Sequence, residues 1–259
     1  MGLRFDILGD IAVINRASSD GEVADARRII EINRRVKVVL FKSGSVSGQF
    51  RLPSYRNVYG ENRTTTIHHE NECSFYVDLA SVHFSPRLIR ERALIAKDVK
   101  NREIIINMFG GLGSFSIEIA KLKTDVKIFN VDINPNAIRL CLKNMILNRK
   151  RGKIIAVLAD AKEVTQNLFQ KKIDRILLPL PIISKKYLNL AITKLNVGGI
   201  IHYYDFIYAT KNESPVKKAF AEIVEISKKN KIVPIDGRIV KSVAPRCYLV
   251  SIKILKLKL

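Results

Sequence analysis

Apolar positions along this chain keep two different rhythms, and the change between them divides it. Up to about residue 80 they fall in short alternating or β-branched runs. Residues 1–14 read as a strand broken at Gly9-Asp10, and Val36 to Phe41 as a second short strand. Between these, Val23, Ala26, Ile29, Ile30 and Ile32 recur near helical spacing, with Arg27, Arg28, Arg34 and Arg35 outside; that predicts a helix from Asp20 to Arg35. Ser43 to Gly48 reads as a loop, and Gln49 to Val58 as a further strand interrupted at Pro53. Thr64 to His69 and Ser74 to Leu79 flank Glu70-Asn71-Glu72, the pattern of a hairpin. Ser85-Pro86 then opens a helix, with serine as cap and proline in the first turn.

From Glu103 onward the periods alternate. Strands are predicted at 103–108, 126–131, 154–159, 173–178 and 198–204, each followed by a helix, at 114–123, 135–148, 162–170, 184–195 and 212–230. Two last strand-like runs, 232–241 and 246–257, meet at Ala244-Pro245-Arg246 as a hairpin. Repeated βα units require a parallel sheet with helices on both faces. The expected architecture is α/β: a strand-rich α+β unit with its linker helix at 1–95, then a Rossmann-like unit at 96–259 whose mixed sheet ends in an antiparallel hairpin.

The first strand of that second unit stops at Met108-Phe109-Gly110-Gly111-Leu112-Gly113, and the apolar pattern Phe115, Ile119, Leu122 begins directly after it. Glycines in a strand-turn-helix let the backbone approach a ligand, and the helix start offers unpaired N–H groups. A dinucleotide fingerprint would have a third glycine where this chain has Ser116, so a pyrophosphate is disfavoured. Roughly twenty residues on, at the end of the next strand, Asp132 has the spacing of an acid that accepts from ribose hydroxyls. A ribose without a phosphate points to S-adenosylmethionine. Other strand ends carry Asp160-Ala161, where Asp160 can accept from an adenine amino group or cap the next helix, and Pro179-Leu180-Pro181, which can wall a base pocket or end the strand. On the bridging helix Arg87 and Glu91 stand four apart, and spacing alone favours an exposed ion pair.

Composition adds the partner. Forty-five Lys and Arg against 24 Asp and Glu leave a formal charge of +21, an excess that attracts nucleic acid. Arg51, Arg56 and Arg63 read either as phosphate contacts or as a charged sheet edge. Tryptophan is absent, which argues against a broad stacking platform for single strands. No apolar run approaches the ~20 residues of a membrane span and no signal-peptide pattern opens the chain, so a cytoplasmic protein is expected. Cys73, Cys141 and Cys247 lie far apart without CxxC spacing, so neither a metal site nor a disulfide framework is expected.

Several strings together carry a more specific resemblance: Gly48-Gln49-Phe50-Arg51, Gly60-Glu61-Asn62-Arg63-Thr64, Val82-His83-Phe84-Ser85-Pro86-Arg87-Leu88 with Glu91-Arg92, the glycine turn, Val131-Asp132-Ile133-Asn134-Pro135, Pro179-Leu180-Pro181, Gly198 to Tyr204, and Lys241-Ser242-Val243-Ala244-Pro245. In order, over essentially the whole chain, they resemble the archaeal and eukaryotic tRNA (guanine-37-N1)-methyltransferase family. The resemblance implies a class I methyltransferase fold, S-adenosylmethionine as donor, and the guanosine 3′ of the anticodon as target. It implies Glu91 as general base for guanine N1, with Glu103 as rival, and Arg51 as the cation on O6, with Arg63 as rival. Arg87 and Arg92 would place base, phosphate or cofactor. Phe109, Gly110, Gly111, Gly113, Asp132, Ile133, Asp160, Ala161 and Pro179 would surround the cofactor, and Pro179 and Pro181 the base. A monomer acting on the anticodon loop is expected.

Three departures qualify the resemblance. Asn107 stands where the family usually has Asp, which weakens an acidic contact near the methionine end of the cofactor. Pro179 stands where the family has Asn, as in the archaeal subgroup that also methylates carbon 7 of the tricyclic wyosine intermediate. The family's small N-terminal domain has no counterpart before Phe5. Two alternatives stay open: transfer of the aminocarboxypropyl group of the same cofactor, and a non-catalytic tRNA-binding protein.

Overall fold

The computed structural model describes residues 3–44, 48, 50, 52–167 and 173–258, with backbone alone for 227–230. Strands β1 (Arg4–Leu8) and β2 (Ile11–Arg16) fold back on each other at Gly9-Asp10, α1 (Glu22–Ile32) crosses to β3 (Val38–Lys42), and β4 (Tyr55–Gly60) closes the sheet. β3 runs parallel to β2, a pairing that needs a crossover, which α1 supplies. The period of two sorts the side chains. Ala12, Ile14 and Val39 pack with Ala26 and Ile29 of α1, while Ile11, Val13, Val38 and Leu40 face the opposite core. β4 begins only at Tyr55, after Pro53; residues 45–47, within the expected loop, lie outside those described. β5 (Thr65–Glu70) and β6 (Cys73–Asp78) form a separate hairpin whose turn residues, Asn71 and Glu72, both have positive φ, the conformation a two-residue hairpin turn requires.

The bridging segment differs from expectation at its start. Pro86–Leu88 is a single 3-10 turn, and α2 (Ile89–Asp98) follows it. Ser85 makes no side-chain cap; its carbonyl instead accepts from the Arg92 guanidinium seven residues on.

The remaining strands build a seven-stranded sheet: β7 (Ile104–Asn107), β8 (Lys127–Asp132), β9 (Lys153–Leu158), β10 (Ile173–Leu178), β11 (Leu195–Tyr208), β12 (Ile232–Ala244) and β13 (Cys247–Lys256). Their order is β12-β13-β11-β10-β7-β8-β9, with β7 to β11 parallel and β13 inserted antiparallel between β11 and β12. The helices between them are α3 (Ser114–Leu122), α4 (Pro135–Leu147), α5 (Ala161–Asn167), α6 (Ser184–Lys194) and α7 (Pro215–Asn230). Alternation again decides the faces. Ile105, Ile128, Leu177 and Tyr204 share a core with α3 and α4, and Ile106, Val131, Ile176 and Tyr203 one with α5, α6 and α7. Each such side chain contributes about 1.5–3 kcal/mol relative to exposure. The first core runs on without a break from Ile105 through Ile95 to Phe75, Val77, Ile11 and Val13. Because β8 continues the sheet on one side of β7 and β10 on the other, strand order reverses at β7. The crevice at the carboxyl ends of these strands is where an open sheet binds ligands. Among the described residues no helix is long and apolar enough to cross a membrane.

Candidate active site

The glycine turn occupies that crevice. Gly110 N–H donates to the Val131 carbonyl and Gly113 N–H to the Gly110 carbonyl, which closes the turn tightly. A Cβ on Gly110 would stand 2.3 Å from Asn130 Oδ1, and Gly113 precedes α3 in the left-handed conformation, at φ 88°. Neither position tolerates a side chain without strain. Ser116, at the position of the missing third glycine, donates to Asn130 Oδ1 at 2.7 Å, so that position serves a polar contact. Asn107 is fully buried; its Nδ2 faces Ser116 and Asn130, and its Oδ1 has no hydrogen-bond partner among the described residues.

Asp132 ends β8 beside the turn. Gly111 N–H donates to its Oδ2 at 2.7 Å and Asn134 N–H to its Oδ1 at 2.9 Å. Burial pushes its pKa above the ordinary 3.8, only partly offset by those N–H groups. Each oxygen keeps a lone pair for a further donor. Asn134 caps α4 with Pro135 in its first turn, and its Nδ2 reaches the Ser81 carbonyl, tying the Asp132 loop to the chain before α2. Ile133 next to it is 44% exposed. Across the crevice Phe109 packs edge-on to Tyr187 of α6, with centroids 5.0 Å apart, and the Tyr187 hydroxyl donates to Asp160 Oδ1 at 3.3 Å. Asp160 also accepts from Lys162 N–H at 2.7 Å, so the helix-capping reading holds, and among the described residues both its bonds fall on Oδ1, which leaves Oδ2 for an adenine amino group. A glycine turn with an acid for hydroxyls, an exposed isoleucine, an aromatic ring and a second acid fits a nucleoside; the orphaned acceptor of Asn107 adds a group for an amine.

After β10 the chain turns through Pro179 and Pro181, both half-buried, into Ile182 at φ 74°. A β-branched residue in that region stores strain. Ser184 holds the segment by donating to the carbonyls of Leu178 and Leu180.

Glu91 lies on α2 and is only 3% exposed. Arg238 of β12 spans its carboxylate, Nε to Oε1 at 2.7 Å and Nη2 to Oε2 at 3.1 Å, and the Tyr204 hydroxyl donates to Oε2 at 2.9 Å. Burial, then the Glu91 carboxylate, push the Tyr204 phenol well above its ordinary range. The exposed Arg87–Glu91 pair suggested by spacing is not formed. The 3-10 turn takes Arg87 off the α-helical register, and its Nε donates to Asp6 at 2.7 Å. Arg87 borders a cavity of about 140 Å³ whose lining includes Lys42, Tyr55, His83 and Lys241. Burial lowers the Lys241 pKa, and the charges of Arg87 and Lys42 act the same way.

The fold of this crevice has close counterparts. The family model described as TRM5/TYW2 methyltransferase domain matches residues 66–234. The chain belongs to that family. TRM5/TYW2 relatives include tRNA (guanine(37)-N(1))-methyltransferase Trm5b of Methanocaldococcus jannaschii, 36% identical over 256 residues, covering 97% of this chain and 70% of that protein. Another is tRNA 4-demethylwyosine(37)-methyltransferase Taw21 of Saccharolobus solfataricus, 35% identical and covering 97% of this chain and 93% of that one. Among solved structures, that of a complex of aTrm5 and tRNALeu superposes with a TM-score of 0.82 at 34% identity, covering 99% of this chain and 72% of that one.

Within this TRM5/TYW2 frame several arginines do other work than the sequence suggested. Arg92 is 1% exposed and committed: Nε lies 2.5 Å from Glu70 Oε1 and 3.3 Å from Glu118 Oε1, with Phe84 beneath the guanidinium. It joins the β5–β6 hairpin to α2 and α3, and its guanidinium faces Glu70, Glu118 and the Ser85 carbonyl. Two carboxylates share that one cation. Burial works to raise Glu70, but His68 and Arg92 outweigh it and hold Glu70 low, whereas burial pushes Glu118 up to about 8. Arg63 binds Asp10 through both terminal nitrogens and Glu61 through Nε, pinning the start of β5 to the β1–β2 turn. Glu103, the rival base, pairs with Arg175 at the opposite end of the sheet, 2.6 Å away. Arg51 lies outside the described residues. Sequence reasoning missed Arg238, 147 residues from Glu91 with no local pattern to link them, and Tyr187; Tyr204 stood inside a quoted motif but without a role.

Proposed function

We propose that this protein methylates N1 of the guanosine 3′ of the anticodon in tRNA, and carbon 7 of the tricyclic wyosine intermediate at the same position. We further infer that residues 1–95 recognise the tRNA and 96–259 carry out transfer, as a monomer in the cytoplasm. The observation that carries the reading is the buried Glu91 carboxylate on the helix that leads from the N-terminal unit into the strand before the glycine turn. Guanine N1 is a poor nucleophile until its proton leaves, and a carboxylate held in a water-poor site is suited to take it. The first residue-level step is proton transfer from N1 to Glu91, while Arg51 balances charge growing on O6. Gly111, Gly113, Asp132 and Asp160 hold S-adenosylmethionine, which when bound supplies the electrophilic methyl carbon. Phe109, Ile133 and Ala161 enclose its adenine, and Pro179 and Pro181 wall the base. Enzymes that act on a base take it out of the stack, so the target guanosine is flipped. Arg87, Lys42 and Lys241 suit the phosphates that flank it.

The second methylation is supported by Pro179, which replaces an amide that would hydrogen-bond guanine, and by the similarity to Taw21 over 93% of its length. Aminocarboxypropyl transfer differs in what remains of the donor. Incubated with S-adenosylmethionine and tRNA carrying either unmodified guanosine-37 or the tricyclic wyosine intermediate, the protein releases S-adenosylhomocysteine with both, read by liquid chromatography with mass detection. Accumulation of 5′-methylthioadenosine instead would exclude methyl transfer.

A further inference from the structure

Glu91 is a buried carboxylate whose partners decide how it is oriented. It is 3% exposed, and a buried carboxylate without a counterion is strongly disfavoured. Its neighbours on α2 do not supply one, since Arg92 is turned to Glu70 and Glu118, and Arg87, just before the helix, to Asp6. The counterion comes from the far end of the chain. We propose that Arg238 is a positioning residue for Glu91, clamping the carboxylate at two points and turning a single oxygen toward the incoming base. The proposal rests on the assignment of Glu91 as the base.

The contacts define which oxygen. Oε2 accepts from both Arg238 Nη2 and the Tyr204 hydroxyl, whereas Oε1 accepts only from Arg238 Nε among the described residues. A carboxylate oxygen has two lone pairs, so Oε1 is the one with room for a proton. When the N1–H bond breaks its electron pair stays on guanine, the proton forms a bond to Oε1, and solvent removes it after turnover. A two-point clamp needs the planar fork of arginine; a lysine ammonium fixes charge but not orientation.

The strand is built to aim this side chain. Among the described residues β12 pairs only with β13, and its register shifts between Pro234 and Asp236 and again between Ile239 and Lys241, on either side of Arg238. Such irregularities re-aim side chains next to sites. Arg238 Nη1 is braced by Asp236 at 3.1 Å, and Tyr204 packs against Phe115 of α3. Among the described residues the Glu91 carboxylate is bonded by Arg238 from β12 and Tyr204 from β11, with Asp236 acting on Arg238.

The test measures kcat, KM for tRNA and S-adenosylmethionine affinity for Arg238→Ala, Arg238→Lys, Glu91→Gln and the Arg238→Ala/Glu91→Gln double variant, on guanosine-37 tRNA. Arg238→Ala lowers kcat about 10- to 100-fold with KM and cofactor affinity within about two-fold, and Arg238→Lys recovers part of the loss. In the Glu91→Gln background, removing Arg238 changes kcat by less than about two-fold, because both act through one group. An undiminished kcat in Arg238→Ala beside an impaired Glu91→Gln overturns this inference alone. An equal loss from Arg238→Ala in both backgrounds, or a loss confined to KM, does the same. A wild-type rate in Glu91→Gln overturns the base assignment itself. Unchanged cofactor affinity certifies that each variant is folded, and Arg238→Lys keeps the comparison decisive if the alanine variant is not.

Discussion

Replacing Glu91 with glutamine lowers kcat for guanosine-37 methylation by about 10²- to 10⁴-fold, the range general-base removal typically produces. Glutamine keeps the shape of the side chain and an oxygen for Arg238 Nε, but it cannot accept the N1 proton. The groups proposed to hold the cofactor are tied to one another and not to Glu91: Asp132 to Gly111 and Asn134, Asp160 to Tyr187. Affinity for S-adenosylmethionine therefore stays within about two-fold of the wild type. Single-turnover kinetics together with calorimetry separate the two quantities. An unchanged rate would remove Glu91 from the chemistry.

Replacing Asp132 with alanine has the opposite signature. Hydrogen bonds to a charged acceptor contribute about 1.5–3 kcal/mol each, so loss of two ribose contacts weakens S-adenosylmethionine binding by about 10²- to 10⁴-fold. The Gly111 and Asn134 N–H groups also lose their acceptor, which loosens the turn itself. Turnover at saturating cofactor falls far less. The wild-type carboxyl carries a pH signature as well. Only the ionised form accepts from both hydroxyls, so affinity is complete at high pH and declines as pH falls through the native pKa. Burial raises that pKa, so the decline begins at higher pH than the ordinary value of 3.8 implies. Calorimetry between pH 7 and pH 4 reads the effect directly; affinity in Asp132→Ala equal to that of the wild type would cancel the ribose role.

The contrast between what these two carboxylates needed in order to be found explains how far the sequence could be read. Asp132 belongs to a local unit, strand-turn-helix-strand, in which spacing along the chain fixes spacing in space. The βα alternation from Glu103 onward is legible for the same reason, since each period reports which face of one element is buried. The twist of side chains into two cores, Ile105 against Ile106 and Tyr203 against Tyr204, follows from that period alone. Glu91 belongs to no such unit. Its clamp is assembled from α2, β11 and β12, and only the insertion of β13 between the last two strands sets where Arg238 lies.

The partners of the arginines are hidden from sequence for a related physical cause. A charged residue in sequence looks solvated or substrate-facing, yet Arg92 is buried between Glu70 and Glu118, and Arg63 spends its donors on Asp10 and Glu61. Partner carboxylates 22 and 53 residues away cannot be matched by spacing. Arg87 shows the sensitivity of such pairings to local geometry. One 3-10 turn after Pro86 replaces a four-residue helical neighbour, Glu91, with Asp6, 81 residues distant. The departure at Asn107 is legible in sequence, and its consequence is visible only in the fold: a buried amide bonded to Ser116 and Asn130 whose oxygen is left over beside the turn.

The account stands most directly on where a methyl group goes. Purified protein is incubated with methyl-labelled S-adenosylmethionine and either tRNA bearing unmodified guanosine beside the anticodon or the same tRNA already carrying the tricyclic wyosine intermediate, and nucleoside digestion locates the label. The prediction is label on N1 of guanosine-37 in the first and on carbon 7 of the tricyclic base in the second. Label on guanosine alone would contradict the role given to Pro179, and label on neither would contradict the central claim.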